Sequence, residues 1–300
     1  MSIIGHHQEW EFLKDLTQRK NISQSYLFLG PESIGKQALA FQFACILAGE
    51  PEFHATENQP TPLDVAFLEP ETVVRRGVIR KKTIGVGLVR EQLRFLRTSP
   101  GKGRYRVLII TDAHLLTTGS QNVLLKFSEE PDPTAILIFI THERSALLET
   151  LCSRLEEVRF RFVPESVLKE EGKNFGLMPN VDIPEFFFQL GRPGILFQAL
   201  ENPKRFVKRK EQLTKLFRIS TLSLRERLAL AEELAVDVPS SIQLFEWFLP
   251  GLYQKAKGVS VENQARHLLL LASVQETLFQ LKKADVQPRL TLEQLFLSLN

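Results

Sequence analysis

Residues 30–37 read GPESIGKQ, which follows the phosphate-binding pattern Gly-x-x-x-x-Gly-Lys up to its last position. A Ser or Thr normally follows the lysine, because its hydroxyl binds the magnesium ion of a bound nucleotide. Here that residue is Gln37. The stretch leaves three interpretations open: a nucleotidase with an unusual metal ligand, a protein that binds ATP without hydrolysing it, or a scaffold that retains the shape of a lost site.

The glycine loop stands between a candidate buried strand and a candidate helix. The apolar run Tyr26–Leu29 precedes it, and residues 37–48 follow it with apolar side chains at helical spacing. Backbone N–H groups at such a helix start favour anions, and the lysine would reach the outer phosphates. The alternative is an ordinary glycine turn with a surface lysine. The predicted nucleotide-binding residues of this loop are Gly30, Gly35, Lys36 and Gln37.

Further apolar runs alternate with helical patterns through the first half of the chain. We predict strands at residues 65–68, 107–111, 136–140 and 158–162, and helices at residues 86–97 and 119–129. This alternation predicts an α/β fold, a parallel sheet with helices on both faces and ligands at the carboxyl ends of the strands. After residue 163 the pattern is helical to the end.

Composition predicts a soluble protein. The chain has 300 residues, of which 43% are hydrophobic and 24% charged, and no apolar run approaches the roughly 20 residues that span a bilayer. The first residues lack a signal-peptide pattern, and two cysteines cannot build a disulfide framework or a four-thiolate zinc site. The His6–His7 pair is expected to be solvent-exposed. These features predict a cytoplasmic protein without a membrane partner.

The second half of a phosphoryl-transfer site is an acid at the end of another buried strand. Asp112 ends the run VLIITD and would hold magnesium through water. Where many ATP-hydrolysing members of such folds carry a glutamate stands Ala113, which cannot accept a proton or position a water. We expect His114 to point to the opposite face of an extended segment. Thr141, at the end of the fourth strand, would hydrogen-bond a γ-phosphate or the attacking water.

Basic residues concentrate in two stretches. Residues 75–106 hold eleven Lys/Arg and one acid, and residues 204–227 hold nine against two, although the net charge is only +3. Each stretch is either a solvated helix face or a contact with a polyanion, and the pattern leaves both open. The helix at 86–97 places three arginines on a face away from its apolar residues. These arginines are Arg90, Arg94 and Arg97.

Four motif strings resemble one known family. They are VLIITDAHLL (107–116), QNVLLKFSEEP (121–131), LLETLCSRLEEVRF (147–160) and PRLTLEQLFLSL (288–299). Together they resemble the delta-prime family of the bacterial DNA polymerase III clamp loader, within the AAA+ ATPases. The resemblance covers the whole chain and is strongest over residues 105–162.

The resemblance implies three domains and a set of partners. The domains are an AAA+ P-loop domain at 1–163, a small helical lid at 164–204 and an all-helical collar at 205–300, which joins the subunits into a five-membered spiral. The implied partners are the clamp-loader motor and delta subunits, the sliding clamp and primer–template DNA. By position, Arg154 is the arginine finger donated to a neighbour's ATP. The three arginines of 86–97 would face DNA.

The chain departs from the family pattern at several positions. Ser128 replaces a leucine, and Leu155 stands where a cysteine is usual. Many relatives insert a four-cysteine zinc module, but residues 50–64 contain no cysteine, so we expect no zinc. The lid motif Gly-x-x-Arg reads Gly191-Arg-Pro-Gly194, with glycine in place of the nucleotide-contacting arginine.

The leading hypothesis is therefore a hydrolysis-deficient clamp-loader subunit that completes a neighbour's site. Its own loop would hold ATP or ADP with Mg²⁺ weakly. The alternative is an ATP-hydrolysing motor subunit of the same loader, or an independent AAA+ ATPase, since Lys36 and Asp112 are retained. A third hypothesis is a nucleic-acid-binding scaffold that uses the basic stretches alone.

Overall fold

A computed structural model describes most of the chain, in two compact units. It covers residues 4–19, 22–50, 61–75, 77–130, 132–174, 185–257, 261–283 and 286–298. The first, the sheet unit, comprises Met1–Glu71 and Lys82–Phe197. The second, the helical unit, comprises Thr72–Lys81 and Gln198–Asn300. The boundaries at 163/164 and 204/205 drawn from the sequence stay predictions.

The strands form one parallel sheet and one hairpin. Their bounds are β1 Ser25–Leu29, β2 Val65–Leu68, β3 Thr72–Arg75, β4 Val78–Lys81, β5 Arg106–Ile110, β6 Ala135–Thr141 and β7 Glu156–Arg159. The sheet has the order β2-β5-β6-β1-β7 and all its pairs are parallel. β3 and β4 pair antiparallel.

Helices make up most of the remaining structure. In the sheet unit they are α1 His7–Gln18, α2 Lys36–Leu47, α3 Val86–Leu96, α4 Thr118–Glu129, α5 Glu149–Cys152, α6 Glu165–Asn174, α7 Glu185–Gln189 and the start of α8 Pro193–Glu201. In the helical unit they are α9 Pro203–Phe217, α10 Leu224–Ala235, α11 Val238–Lys257, α12 Val261–Lys282 and α13 Pro288–Ser298. Within the described ranges, no helix is both long and apolar enough to cross a membrane.

Both faces of the sheet are buried, which explains why its strands read as nearly continuous apolar runs. Successive side chains of a strand point to opposite faces, so Phe28 joins one core with Phe43 of α2, while Leu27 joins the other with Leu124 of α4. The sheet therefore has a hydrophobic core and helices on each face, as the predicted α/β architecture requires.

The last predicted strand is shifted. Residues 158–162 were expected to be extended, whereas β7 covers Glu156–Arg159. The pairing of β7 ends where β1 ends, with Leu29 opposite Arg159, because β1 then turns into the glycine loop. Phe160 stays buried, but Phe162 is exposed and the predicted alternation stops there.

The hairpin is the element that the sequence patterns missed. It is encoded between β2 and α3, yet it belongs to the helical unit. The backbone N–H of Ile79 donates to Val236 O at 2.7 Å. The guanidinium of Arg80 donates to Lys283 O at 2.8 Å and to Val286 O at 2.6 Å. These partners lie more than 150 residues away in the chain, so no local pattern reports them.

The buried sheet predicts a strong effect of truncation at its centre. Ile138 of β6 is 0% exposed. We expect Ile138→Ala to lower the free energy of unfolding by about 2–5 kcal/mol, because it removes apolar packing and leaves a cavity. Denaturant unfolding measures this. Leu63→Ala, at a side chain 80% exposed, is the control and should change stability by less than about 0.5 kcal/mol. Equal effects of the two variants would contradict the assigned core.

Candidate functional site

The glycine loop, residues 30–37, connects β1 to α2 at the carboxyl edge of the sheet. Gly35 caps α2 with φ 99°, a left-handed conformation that glycine adopts without steric cost. The N–H of Gly30 donates to Thr141 O at 3.2 Å, which ties the start of the loop to the end of β6. The loop therefore has the strand–loop–helix placement that anion binding at a helix N-terminus requires.

Lys36 is folded back onto this loop. Its side chain is buried, and its ammonium group donates to the carbonyls of Gly30 and Pro31. A nucleotide would have to draw the ammonium group away from these oxygens toward its phosphates. Gln37 is exposed, and its amide nitrogen lies 3.4 Å from the Glu69 carboxylate.

Residues at the start of α8 donate hydrogen bonds to the next two carbonyls of the loop, those of Glu32 and Ser33. The guanidinium of Arg192 donates to Glu32 O at 2.8 Å, and the backbone N–H of Gly194 donates to Ser33 O at 2.8 Å. The arginine nearest to the lid motif therefore binds the loop backbone. A Cβ at position 194 would lie 2.7 Å from Ser33 O, which is closer than real Cβ atoms approach a neighbour. Glycine in this position is thus required by the close approach of the two backbones.

His6 binds the fifth carbonyl, and the expectation that it is exposed is wrong. Its side chain is 4% exposed, and its Nε2 donates to Ile34 O at 2.8 Å. Burial lowers the pKa of His6 below its usual value. His7 has a 69% exposed side chain and lies 2.7 Å from the Glu171 carboxylate. The five consecutive carbonyls of residues 30–34 all accept hydrogen bonds from within the sheet unit.

The acidic end of β5 is not extended. Asp112 has φ 46°, and Ala113–Leu115 form a short 3-10 helix. This turn brings His114 to the carboxyl edge of the sheet, with Nδ1 3.4 Å from the Thr141 hydroxyl, so the expectation that it points away was wrong. Burial, followed by nearby His142, lowers the pKa of His114 to about 4. A group with so low a pKa is neutral and weakly basic at physiological pH.

Thr141 and Ala113 complete this edge. Thr141 is buried at the end of β6, where its hydroxyl accepts from Glu143 N–H at 3.1 Å. Ala113 is buried and offers only a methyl group next to Asp112. The structure thus collects six predicted nucleotide-binding residues at one edge of the sheet. They are Gly30, Gly35, Lys36, Gln37, Asp112 and Thr141.

Arg154 lies at the opposite edge. It follows α5 and precedes β7, whose pairing with β1 begins at Tyr26 and Glu156. The glycine loop follows the other end of β1, so about 10 Å of strand separates the two ends. Arg154 donates to Thr150 O and to the Glu129 carboxylate, each at 3.0 Å. The parallel sheet therefore does not bring Arg154 to the glycine loop of its own chain.

Two arginines of α3 and the arginine that caps its C-terminus are exposed, and the three together are called the arginine face of α3. The buried residues of the helix are Val89, Leu93 and Leu96, and the exposed arginines are Arg90, Arg94 and Arg97. The spacing of these arginines in the sequence therefore places them on solvent, as the helical pattern predicts. A role in nucleic-acid contact stays a prediction.

Gln121 is a site residue that sequence reasoning missed. It is buried in α4, and its amide donates to Leu116 O at 3.2 Å and to Ala146 O at 3.0 Å. The N–H of Leu148 donates back to its Oε1 at 2.7 Å. Gln121 thus joins the end of the Asp112 turn to the segment that leads into α5. A polar residue on the buried side of an amphipathic helix was the available signal.

A family model described as DNA polymerase III, delta subunit matches residues 5–164 of the chain. The chain is 32% identical over 139 residues to the DNA polymerase III subunit delta' of Pseudomonas aeruginosa, a match that covers 45% of this chain and 42% of that protein. It is 32% identical over 179 residues to the subunit gamma/tau of Mycobacterium tuberculosis, covering 56% of this chain and 29% of that protein. The chain thus spans less than half of either relative. The resemblance drawn from the motif strings is confirmed by the family match.

Among solved structures, the chain is similar to a DNA polymerase III gamma subunit-related protein of Thermotoga maritima. The TM-score is 0.58 over 95% of this chain and 97% of that one, at 19% sequence identity. At this identity the likeness concerns the fold alone. The predicted fold class, an α/β domain with a parallel sheet followed by C-terminal helices, is confirmed.

The close approach of Gly194 to Ser33 predicts that a larger residue at position 194 destabilises the fold. We expect Gly194→Ala to lower the free energy of unfolding by about 1–3 kcal/mol, because the added methyl group overpacks against a backbone carbonyl. Denaturant unfolding measures the change. Gly87→Ala in α3 is the matched control, since a Cβ there meets nothing within 4 Å. It should be neutral or stabilising by up to about 1 kcal/mol. If both variants unfold alike, Gly194 does not hold the loop.

Proposed function

Because the chain belongs to the DNA polymerase III delta-subunit family, we propose that it is a delta-prime-like subunit of the clamp loader. In this role it supports the ATP-dependent loading of the sliding clamp onto primed DNA. It does not hydrolyse ATP itself but donates Arg154 to the ATP of a neighbouring motor subunit. The observation that carries the proposal is the position of Arg154, an exposed arginine at the sheet edge opposite its own glycine loop.

The proposal that the chain's own site is inactive rests on three positions. Gln37 replaces the hydroxyl that binds magnesium, Ala113 replaces the carboxylate that orients water, and Gly194 replaces the lid arginine. The close approach of Gly194 to Ser33 leaves no room for a side chain there. Three independent departures in one site favour loss of hydrolysis over an unusual mechanism.

Weak nucleotide binding remains compatible with the loop. Gly30, Gly35 and Lys36 would hold phosphates, and Asp112 and Thr141 would contact Mg²⁺ and the γ-phosphate. Binding would exchange the hydrogen bonds of Lys36 for phosphate contacts. A hydrogen bond contributes about 0.5–1.5 kcal/mol net, or up to about 3 for a charged group, so the exchange is feasible. ATP or ADP with Mg²⁺ would stabilise the fold in this site.

The motor-subunit alternative is supported by Lys36 and Asp112, which are both retained at the carboxyl edge of the sheet. In that case the amide oxygen of Gln37 would be the metal ligand.

The proposed partners follow from the family. They are the motor and delta subunits, which would join this chain through the collar helices, the sliding clamp, and primer–template DNA. The exposed arginine face of α3 would contact phosphates of the DNA.

ATP turnover distinguishes the two functions. We expect the isolated chain to hydrolyse ATP no faster than its Lys36→Ala variant. In a complex reconstituted with its motor and delta partners and primed DNA, Arg154→Ala should abolish the contribution of the neighbouring site, because an arginine finger supplies about 10³–10⁵ in rate. Size-exclusion chromatography should show assembly intact. Robust turnover by the isolated chain would support the motor alternative instead.

Salt dependence tests the arginine face of α3. Replacing Arg90, Arg94 and Arg97 together by alanine should weaken DNA binding by the complex and reduce the slope of log K against log salt by up to about 3, one for each phosphate that is no longer neutralised. Lys14, Arg19 and Lys173, replaced together, provide the charge-matched control in the sheet unit. An unchanged slope in the α3 variant would show that these arginines do not contact DNA phosphates and form only a solvated helix face.

A further inference from the structure

Arg154 is held by two named acceptors in the isolated subunit. Its Nη2 donates to Oε1 of Glu129, the last residue of α4, at 3.0 Å. Its Nη1 donates to Thr150 O in α5 at 3.0 Å. The guanidinium therefore bridges two helices, and one of its acceptors is a carboxylate.

Glu129 is the specific counter-ion of this arginine. The carboxylate of α5, Glu149, binds a different arginine: its two oxygens accept from the two terminal nitrogens of Arg144 at 2.6 and 3.1 Å. Because Glu149 is engaged in this bidentate pair, the charge of Arg154 is balanced by Glu129 alone among its ion pairs in the described residues.

The Arg154–Glu129 ion pair is weak enough to be exchanged for another partner. The side chains of Arg154 and Glu129 are 39% and 46% exposed. Ion pairs with this exposure change an equilibrium by no more than about fivefold. A guanidinium fork binds carboxylate and phosphate in the same way. A phosphate chain with several negative charges would therefore displace a single carboxylate.

We propose that Glu129 is a positioning residue: it holds the guanidinium of Arg154 in an ion pair until the nucleotide of a neighbouring subunit replaces the carboxylate. This inference rests on the proposed function of Arg154 and adds a control to it. With the guanidinium on Glu129, its charge is partly neutralised and one edge of the fork is occupied. Replacement of the carboxylate by phosphate releases both the charge and the fork for the neighbouring site.

The decisive variant is Glu129→Gln, which retains the shape and an acceptor oxygen but removes the charge. In the reconstituted complex, without DNA, we expect it to raise ATP turnover at subsaturating ATP by about two- to fivefold and to leave kcat at saturating ATP with primed DNA within about twofold. The effect should vanish when Arg154→Ala is also present, because Glu129 acts through Arg154. Asp15→Asn, which breaks the exposed Asp15–Arg19 pair of α1, is the matched control and should have no effect.

The outcomes distinguish two claims: the finger role, in which Arg154 acts on a neighbour's ATP, and the resting role, in which Glu129 holds Arg154 beforehand. If Arg154→Ala lowers turnover but Glu129→Gln does not raise it, the finger role stands and the resting role is overturned. If Glu129→Gln raises turnover equally in the Arg154→Ala background, Glu129 acts on another group and the proposal fails. If neither variant changes turnover, both roles are overturned. An activation that depends on Arg154 supports both.

Discussion

Parallel pairing of β1 with β6 on one side and β7 on the other determines which residues of this chain share a site. Because the strands run in one direction, the segments after β1, β5 and β6 meet at one edge, and the segment before β7 lies at the other. The glycine loop, Asp112 and Thr141 belong to the first edge, and Arg154 to the second. Arg154 is therefore exposed at an edge that its own glycine loop does not share.

The glycine loop is a candidate phosphate site, and its carbonyls also link several segments of the sheet unit by hydrogen bonds. Backbone carbonyls that are shielded from water need donors, and Lys36, Arg192, Gly194 and His6 provide them for this partly buried loop. Gly194 approaches the Ser33 carbonyl so closely that a Cβ at position 194 would lie 2.7 Å from that oxygen. These hydrogen bonds tie the loop to α2, to the start of α8 and to the start of the chain's described part.

Sequence patterns predicted the elements whose signals are local. The buried strands, the glycine loop, the amphipathic α3 and the position of Asp112 all follow from runs of a few residues. The missed features depend on interactions between distant segments: His6 reaches Ile34, Gly194 reaches Ser33, and the β3–β4 hairpin packs on helices encoded far later. The turn after Asp112 was missed because a left-handed conformation is uncommon outside glycine and no local pattern marks it here. Burial of Gln121 had a visible signal, but its three hydrogen-bond partners did not.

The central claim is that Arg154 supplies a guanidinium group to the ATP of another subunit. Chemical rescue tests it most directly: steady-state ATP turnover is measured in the assembled complex that carries Arg154→Ala, with added guanidinium ion at non-denaturing concentration and with urea as the neutral analogue of similar shape. We expect guanidinium to restore turnover in part and urea to leave it unchanged. Full turnover in the Arg154→Ala complex before any addition would contradict the claim.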